Sequence, residues 1–207
     1  MAARGVTRKK MLEGAITVLQ ERGAAGLTID AVLDRSESPR GSVYHHFPGG
    51  RNQILEESLL RSGRVITDMV TTSAQGRPIE ALQAIVNFWA KALQDANFET
   101  GCPLVAVAVS GTADDHALFP EIADVIDQWR GALTKSLISA GTNELRAVRI
   151  STLVISSIEG AIILCRIQHS TAPLYDTANE LERAIAAAMA DESAHGALDR
   201  RAQADVH

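Results

Sequence analysis

An all-α fold of about nine helices is what the 207-residue sequence predicts. Apolar residues recur at three- and four-residue steps along most of the chain, and Pro and Gly fall at the breaks between those runs. Only Leu104 to Val109 alternates like a strand. With no second strand nearby to pair with, it is assigned a short buried helix.

Met11, Leu12, Ala15, Ile16, Val18 and Leu19 form the apolar stripe of a first helix, which Gly23 and Gly26 end. Thr28 is the N-cap of a short second helix bearing Ile29, Val32 and Leu33, with Asp30 near the positive end of its dipole. Arg35-Ser36-Glu37 is a tight connection. Ser38 as N-cap and Pro39 as first helical residue open a third helix, Arg40 to His46. Pro48-Gly49-Gly50 breaks the chain before a long helix from Asn52 to Ser73. Gln75-Gly76-Arg77-Pro78 breaks it again before Ile79 to Ala96, and Asn97 to Gly101 is a loop. Pro120 opens a helix to Ala140 that Gly141 stops, Glu144 to His169 makes another, and Leu174 to Ala190 is the last. Three regions follow: a helix-turn-helix head over residues 1–50, a helical body over 51–192 and a polar tail over 193–207.

Apolar residues make up 46% and charged residues 22%, the balance of a chain with a core to bury. The most apolar stretch, Ile150 to Ile167, carries Glu159, Arg166 and four hydroxyl side chains. A buried helix is expected there rather than a membrane span. Two cysteines, Cys102 and Cys165, are too few for a disulfide framework and point to a reducing cytoplasm. Net charge is −5, yet residues 1–51 carry +3 and the remaining 156 carry −8. A basic head on an acidic body suits a polyanionic partner at the head alone.

Thr28 to Arg51 is the segment with a chemistry to explain. Two short helices joined by a three- or four-residue turn make a helix-turn-helix unit, whose second helix can enter a DNA major groove. Val43 and Phe47 anchor one side of that second helix. The other side offers Arg40, Ser42, Tyr44 and His45, all hydrogen-bond formers, and Gly41 lets the backbone approach a partner closely. A helix this short and this polar has little to bury. A docked partner accounts for it.

The run Arg40-Gly41-Ser42-Val43-Tyr44-His45-His46-Phe47, preceded by Leu27-Thr28-Ile29-Asp30-Ala31-Val32, closely resembles the tetracycline-repressor (TetR) family of bacterial transcriptional regulators. The likeness covers about residues 8–60. Pro39, Pro48-Gly49-Gly50 and Gly101-Cys102-Pro103-Leu104 are similar to the branch that contains LmrA- and YxaF-type multidrug-responsive repressors. One position departs from the pattern. Glu37 stands in the turn where the family usually has glycine, which strains the backbone and sets a negative charge near phosphates.

The resemblance implies a sequence-specific regulator, a repressor released from a palindromic operator by a small hydrophobic ligand. It assigns Tyr44 and His45 to backbone phosphates, which fix register. Arg40 is expected at a guanine edge or a phosphate, a bidentate guanine contact being worth roughly 1–3 kcal/mol of discrimination. Ser42 meets a base or a phosphate. Thr28 presents its hydroxyl and helix amides to a phosphate, and Arg51 does likewise from the next helix. Ser38, Pro39 and Gly41 complete the DNA-binding set. Two alternatives stand beside this: a helical small-molecule binding protein or enzyme with a non-functional helix-turn-helix, and a DNA-bound structural or activating protein without effector.

One such unit selects too little sequence alone, so a homodimer reading two half-sites is expected. Val154, Ser157, Ala161, Leu164 and Gln168, with Leu181 and Ile185 on the last helix, fall at helical steps suited to that interface. The resemblance implies a four-helix interface from the last two helices of each subunit. Phe88, Trp89, Phe98, Phe119 and Trp129 concentrate the aromatics and are candidates to line an effector cavity, with Cys102, His116 or His169 as polar handles.

No enzyme is expected. G-x-S-x-G, G-x-x-x-x-G-K-[ST], G-x-G-x-x-G and H-E-x-x-H are all absent, so no catalytic residue and no cofactor are assigned. His45 and His46 are adjacent on a helix and face different ways, unsuited to one metal. Asp114-Asp115-His116 is read as a cap on the following helix, and Arg4 to Lys10 as either a basic arm or a solvated tail.

Overall fold

A computed structural model describes the backbone of residues 2–204 and the side chains of residues 6–190. Among the described residues the chain is all-α, with nine helices, two short 3-10 turns and no strand. The helices are α1 (Ala2–Gly26), α2 (Ile29–Ser36), α3 (Val43–His46), α4 (Gly50–Ser73), α5 (Pro78–Asp95), α6 (Pro103–Ser110), α7 (Phe119–Ser139), α8 (Glu144–Gln168) and α9 (Ala172–Ala204). The 3-10 turns are Arg40–Ser42 and Asp115–Leu118. Leu104 to Val109 is indeed helical, within α6, with Leu104 and Val107 fully buried and Val109 77% exposed. The last helix runs well past Ala190, so the backbone of 191–204 is helical where a polar tail was expected. Residues 205–207 of that tail lie outside the described residues.

Two compact units divide the chain: residues up to Ile66 with Asp95–Val125, and Thr67–Gln94 with residues from Ile126 on.

In the first unit Met11, Ala15, Val18 and Leu19 of α1 are buried with Val32 and Leu33 of α2, Val43, Phe47, and Ile54 and Leu55 of α4. That core is the apolar stripe of each amphipathic helix turned inward. Segment 95–125 belongs to it through α6, which packs against α1. Gly23 kinks α1 at φ 72°, and there the Ala24 N–H donates to Ser110 Oγ at 2.9 Å. A Cβ on Gly23 would sit 2.3 Å from that oxygen, so only glycine allows the approach.

In the second unit α8 and α9 pack together, burying Ile150, Val154, Ile158, Ala161 and Ile162 with Leu174, Leu181, Ile185 and Ala188. Trp129 of α7 is buried and its indole N–H donates to Thr67 Oγ1 at 2.8 Å. α8 is long and apolar enough to cross a membrane, with a mean hydropathy of 1.8. Its apolar residues are shared between one face buried in the core and another left exposed, so the buried helix expected there is buried on one side only.

Candidate nucleic-acid interface

Thr28 caps α2 as the sequence predicts: its backbone is extended, and its Oγ1 accepts the Ala31 N–H at 3.1 Å. α2 ends on Glu37, which adopts the left-handed conformation at φ 50°, ψ 40°. The Glu37 N–H donates to Asp34 O and the Ser38 N–H to Leu33 O at 3.1 Å, satisfying carbonyls the helix end would leave open. The turn geometry that glycine favours is therefore kept, with a side chain carrying the strain.

Entry into the recognition segment differs from the expected N-cap at Ser38 with Pro39 inside the helix. Ser38 Oγ donates back to Ser36 O at 3.3 Å, and Pro39 is extended at φ −65°, ψ 138°. Helical backbone therefore starts one position later than expected, at Arg40. Arg40–Ser42 then forms a 3-10 turn, with Ser42 Oγ donating to Pro39 O at 2.6 Å, before α3 begins at Val43.

Val43 and Phe47 are both fully buried and fix one side of this segment. Its other side is open: the Arg40 side chain is 81% exposed, Tyr44 65%, and His45 is exposed beside His46, the two rings edge to face at 5.4 Å. Nothing lies within 4 Å of where a Gly41 Cβ would stand. Arg40 pairs with Asp30 of α2 at 3.2 Å, both in solvent, where such a pair is weakly held and easily exchanged for another anion. Thr28, Pro39, Arg40, Gly41, Tyr44 and His45 are thus exposed, and Ser38 and Ser42 half-buried.

Arg51 is placed differently from the others. Its guanidinium donates to Leu27 O and Ala24 O, each at 2.8 Å, and to both Asp115 oxygens at 2.7 and 3.0 Å; Nη1 also reaches Asn52 Oδ1 at 3.5 Å. All five donors are engaged. Asp115 is 2% exposed and also accepts the Thr112 N–H at 2.9 Å. Arg51's hydrogen bonds hold its carboxyl at about 2, below the usual 3.8, against the opposing effect of burial. The Asp114-Asp115-His116 cluster therefore folds its own loop and clamps Arg51, while the His116 ring lies 4.5 Å from that of Phe119; it does not cap α7.

The residues proposed for an effector fall in both units. In the first, Cys102 is buried, Phe119 is 39% exposed, and Phe98 is half-buried in a left-handed pair with Asn97. In the second, Trp89 and Trp129 are buried, Phe88 is half-buried against Trp89, and His169 is the exposed left-handed residue that ends α8. A crevice in the second unit, about 10 Å³, is lined by Pro78, Leu82, Leu133, Ser136, Leu137, Val154 and Ile185, none of them among those candidates. Cys165 is buried too, which pushes its thiol pKa up. Among the described residues no group of His, Cys, Asp and Glu is placed to hold a metal ion.

For the dimer, Leu164 and Gln168 are exposed and Ser157 half-buried. Val154, Ala161, Leu181 and Ile185 are buried within the chain's own α8–α9 core. Side chains already enclosed by their own chain have no surface left to give a partner. Besides Leu164, the exposed apolar residues of α8 are Leu145, Val148, Leu153, Ile163 and Ile167.

Comparison with known proteins agrees with this architecture. Residues 11–57 match the N-terminal domain of bacterial regulatory proteins of the tetR family, and residues 78–180 match the LmrA/YxaF-like C-terminal domain of transcriptional regulators. The chain is similar to the HTH-type transcriptional regulator Rv0196 of Mycobacterium tuberculosis, 33% identical over 191 residues, covering 90% of this chain and 97% of that one. In fold it is similar to a regulatory protein TetR from Rhodobacter sphaeroides (TM-score 0.75, 14% identity, 86% and 98% of the two chains). It is also similar to the TetR-family regulator CifR solved with 26bp operator DNA (TM-score 0.64, 20% identity, 86% and 94%). A likeness that runs through head and body alike, and along nearly all of a relative one third identical, makes this chain a member of the TetR family of HTH-type transcriptional regulators.

Proposed function

We propose that two copies of this chain bind a palindromic operator, each laying the Arg40–His46 segment in a major groove, and that the bound dimer represses transcription until a small hydrophobic ligand releases it. The observation that carries the reading is the open polar side of that segment, anchored by Val43 and Phe47 and bearing Arg40, Tyr44 and His45. Arg40 takes the base edge, exchanging Asp30 for guanine. Tyr44, His45, Thr28 and Ser42 take phosphates, while Ser38, Pro39 and Gly41 set the approach. CifR, a protein of similar fold, is solved on operator DNA, which supports the mode. The regulator acts in the cytoplasm and performs no catalysis.

The exposed α8 residues Leu153, Ile163, Leu164 and Ile167, with small Ser156 and Gly160 among them and Tyr175 on α9, form the dimer face in this reading. Half-sites then lie about 34–36 Å apart or a multiple of that. The effector is taken up by the domain over residues 78–180. The crevice near 10 Å³ holds one water at most, so it is not the effector site in its present form, and a ligand releases DNA only by binding better to an arrangement that disfavours the DNA-bound one.

The test is fluorescence anisotropy on duplexes selected from a random library by the wild-type chain. Arg40→Ala is expected to weaken the selected duplex about tenfold and relax one base position, consistent with a bidentate contact of roughly 1–3 kcal/mol. Equal losses on selected and scrambled duplexes would remove Arg40 from base reading. Failure to select any duplex would remove the function itself.

A further inference from the structure

Arg8 lies in the basic stretch of α1 that the sequence leaves open between a DNA-reaching arm and a solvated tail. Its guanidinium does neither in this fold. It stands 4.7 Å over the ring of Phe47, the residue that ends the recognition segment, and Phe47 is fully buried. Its Nη2 donates to both Glu57 oxygens of α4, at 2.6 and 2.5 Å. The chain of bonds goes further: Gln53 Nε2 donates to Glu57 Oε1 at 2.9 Å, and Gln53 Oε1 accepts the Gly49 N–H at 2.9 Å. Gly49 is in the turn between α3 and α4, and the next N–H, that of Gly50, donates to Phe47 O at 2.9 Å.

We propose that Arg8, Glu57 and Gln53 form a brace that sets the angle of the recognition segment, so that Arg8 is a positioning residue for operator reading and not a phosphate contact. Three features of the brace converge on Phe47 and the turn after it. The cation lies on the ring face, where the aromatic quadrupole attracts it. The carboxylate holds that cation in place by a half-buried, charge-assisted pair. The amide passes the constraint to the backbone at Gly49. The recognition element needs such a brace because α3 is only four residues long and cannot hold its own direction.

The proposal rests on the operator reading above, and wild-type selection of a duplex tests that reading by itself. The brace is tested with Glu57→Gln, which removes a negative charge and keeps the shape. If Arg8 were a phosphate contact, freeing it from its carboxylate would tighten DNA binding. The brace predicts the opposite sign: the selected duplex weakens about tenfold, the scrambled duplex much less, and the slope of log affinity against log salt is unchanged. Arg8→Met is expected to narrow discrimination in the same way with that slope again unchanged, whereas a phosphate contact would lower it by about one. Should Glu57→Gln unfold, Gln53→Ala carries the same test: it leaves the ion pair in place and suits a helix, and it must still narrow discrimination. Tighter binding by Glu57→Gln, a lowered salt slope for Arg8→Met, or unaltered discrimination for folded Gln53→Ala would each overturn the brace.

Discussion

Arg51 and Asp115 are 64 residues apart in sequence and joined by two hydrogen bonds, of 2.7 and 3.0 Å, at a site where the carboxylate is 2% exposed. The same guanidinium holds the Ala24 and Leu27 carbonyls at the junction of α1 and α2. The loop after α6 is thereby fastened to the base of the helix-turn-helix.

Removing either partner leaves a buried group without its counter-charge, so Asp115→Asn is expected to cost about 3 kcal/mol in denaturant unfolding. The carboxyl pKa is lower folded, at about 2, than its ordinary 3.8. Its stabilisation is therefore complete above about pH 4 and lost as pH falls toward 2, about 2 kcal/mol in all at 1.36 kcal/mol per unit. Asp115→Asn should abolish that part of the acid sensitivity. Arg51→Met is expected to lower stability while leaving the salt slope of DNA binding unaltered, and a slope reduced by about one would return Arg51 to the phosphates.

Glu37 holds a left-handed backbone at φ 50° that costs an L-residue about 1 kcal/mol and glycine almost nothing. Glu37→Gly should raise the thermal midpoint by a few degrees, the added freedom of the unfolded chain offsetting part of the gain. Scanning calorimetry decides this. A lower midpoint would show that the side chain contributes more than the strain removes.

Two substitutions separate the exposed and buried sides of the α8–α9 pair. Ile163→Glu, at a residue 47% exposed, should abolish self-association in sedimentation experiments and change monomer unfolding by less than about 0.5 kcal/mol. Leu181→Ala, at 4% exposure, should instead cost about 2–5 kcal/mol of stability, because it opens a cavity. The reverse pattern would put the interface back on the stripe that contains Leu181.

Much of the fold was legible because its signals are local. Thr28 reaches its partner three residues away, Val43 and Phe47 lie one helical turn apart, and the polar side of residues 40–46 is what those two anchors leave over. Where the sequence misled, the deciding contact was distant or the pattern was ambiguous. On α8, Val154 and Ile163 are both apolar, and only tertiary packing, against residues such as Leu82, Leu133 and Ile185, determines that the first is buried and the second exposed.

The amino-acid sequence alone determined the all-α class, most helix limits, and the side of the short third helix left exposed. Tertiary structure decided the 3-10 entry at Arg40, the exposed face of α8, and the inward engagement of Arg51 and Arg8. A helix stripe is written every three or four residues. The partner of a charge is written only in the folded chain, at separations of 64 residues for Arg51 and 49 for Arg8, which no periodicity encodes.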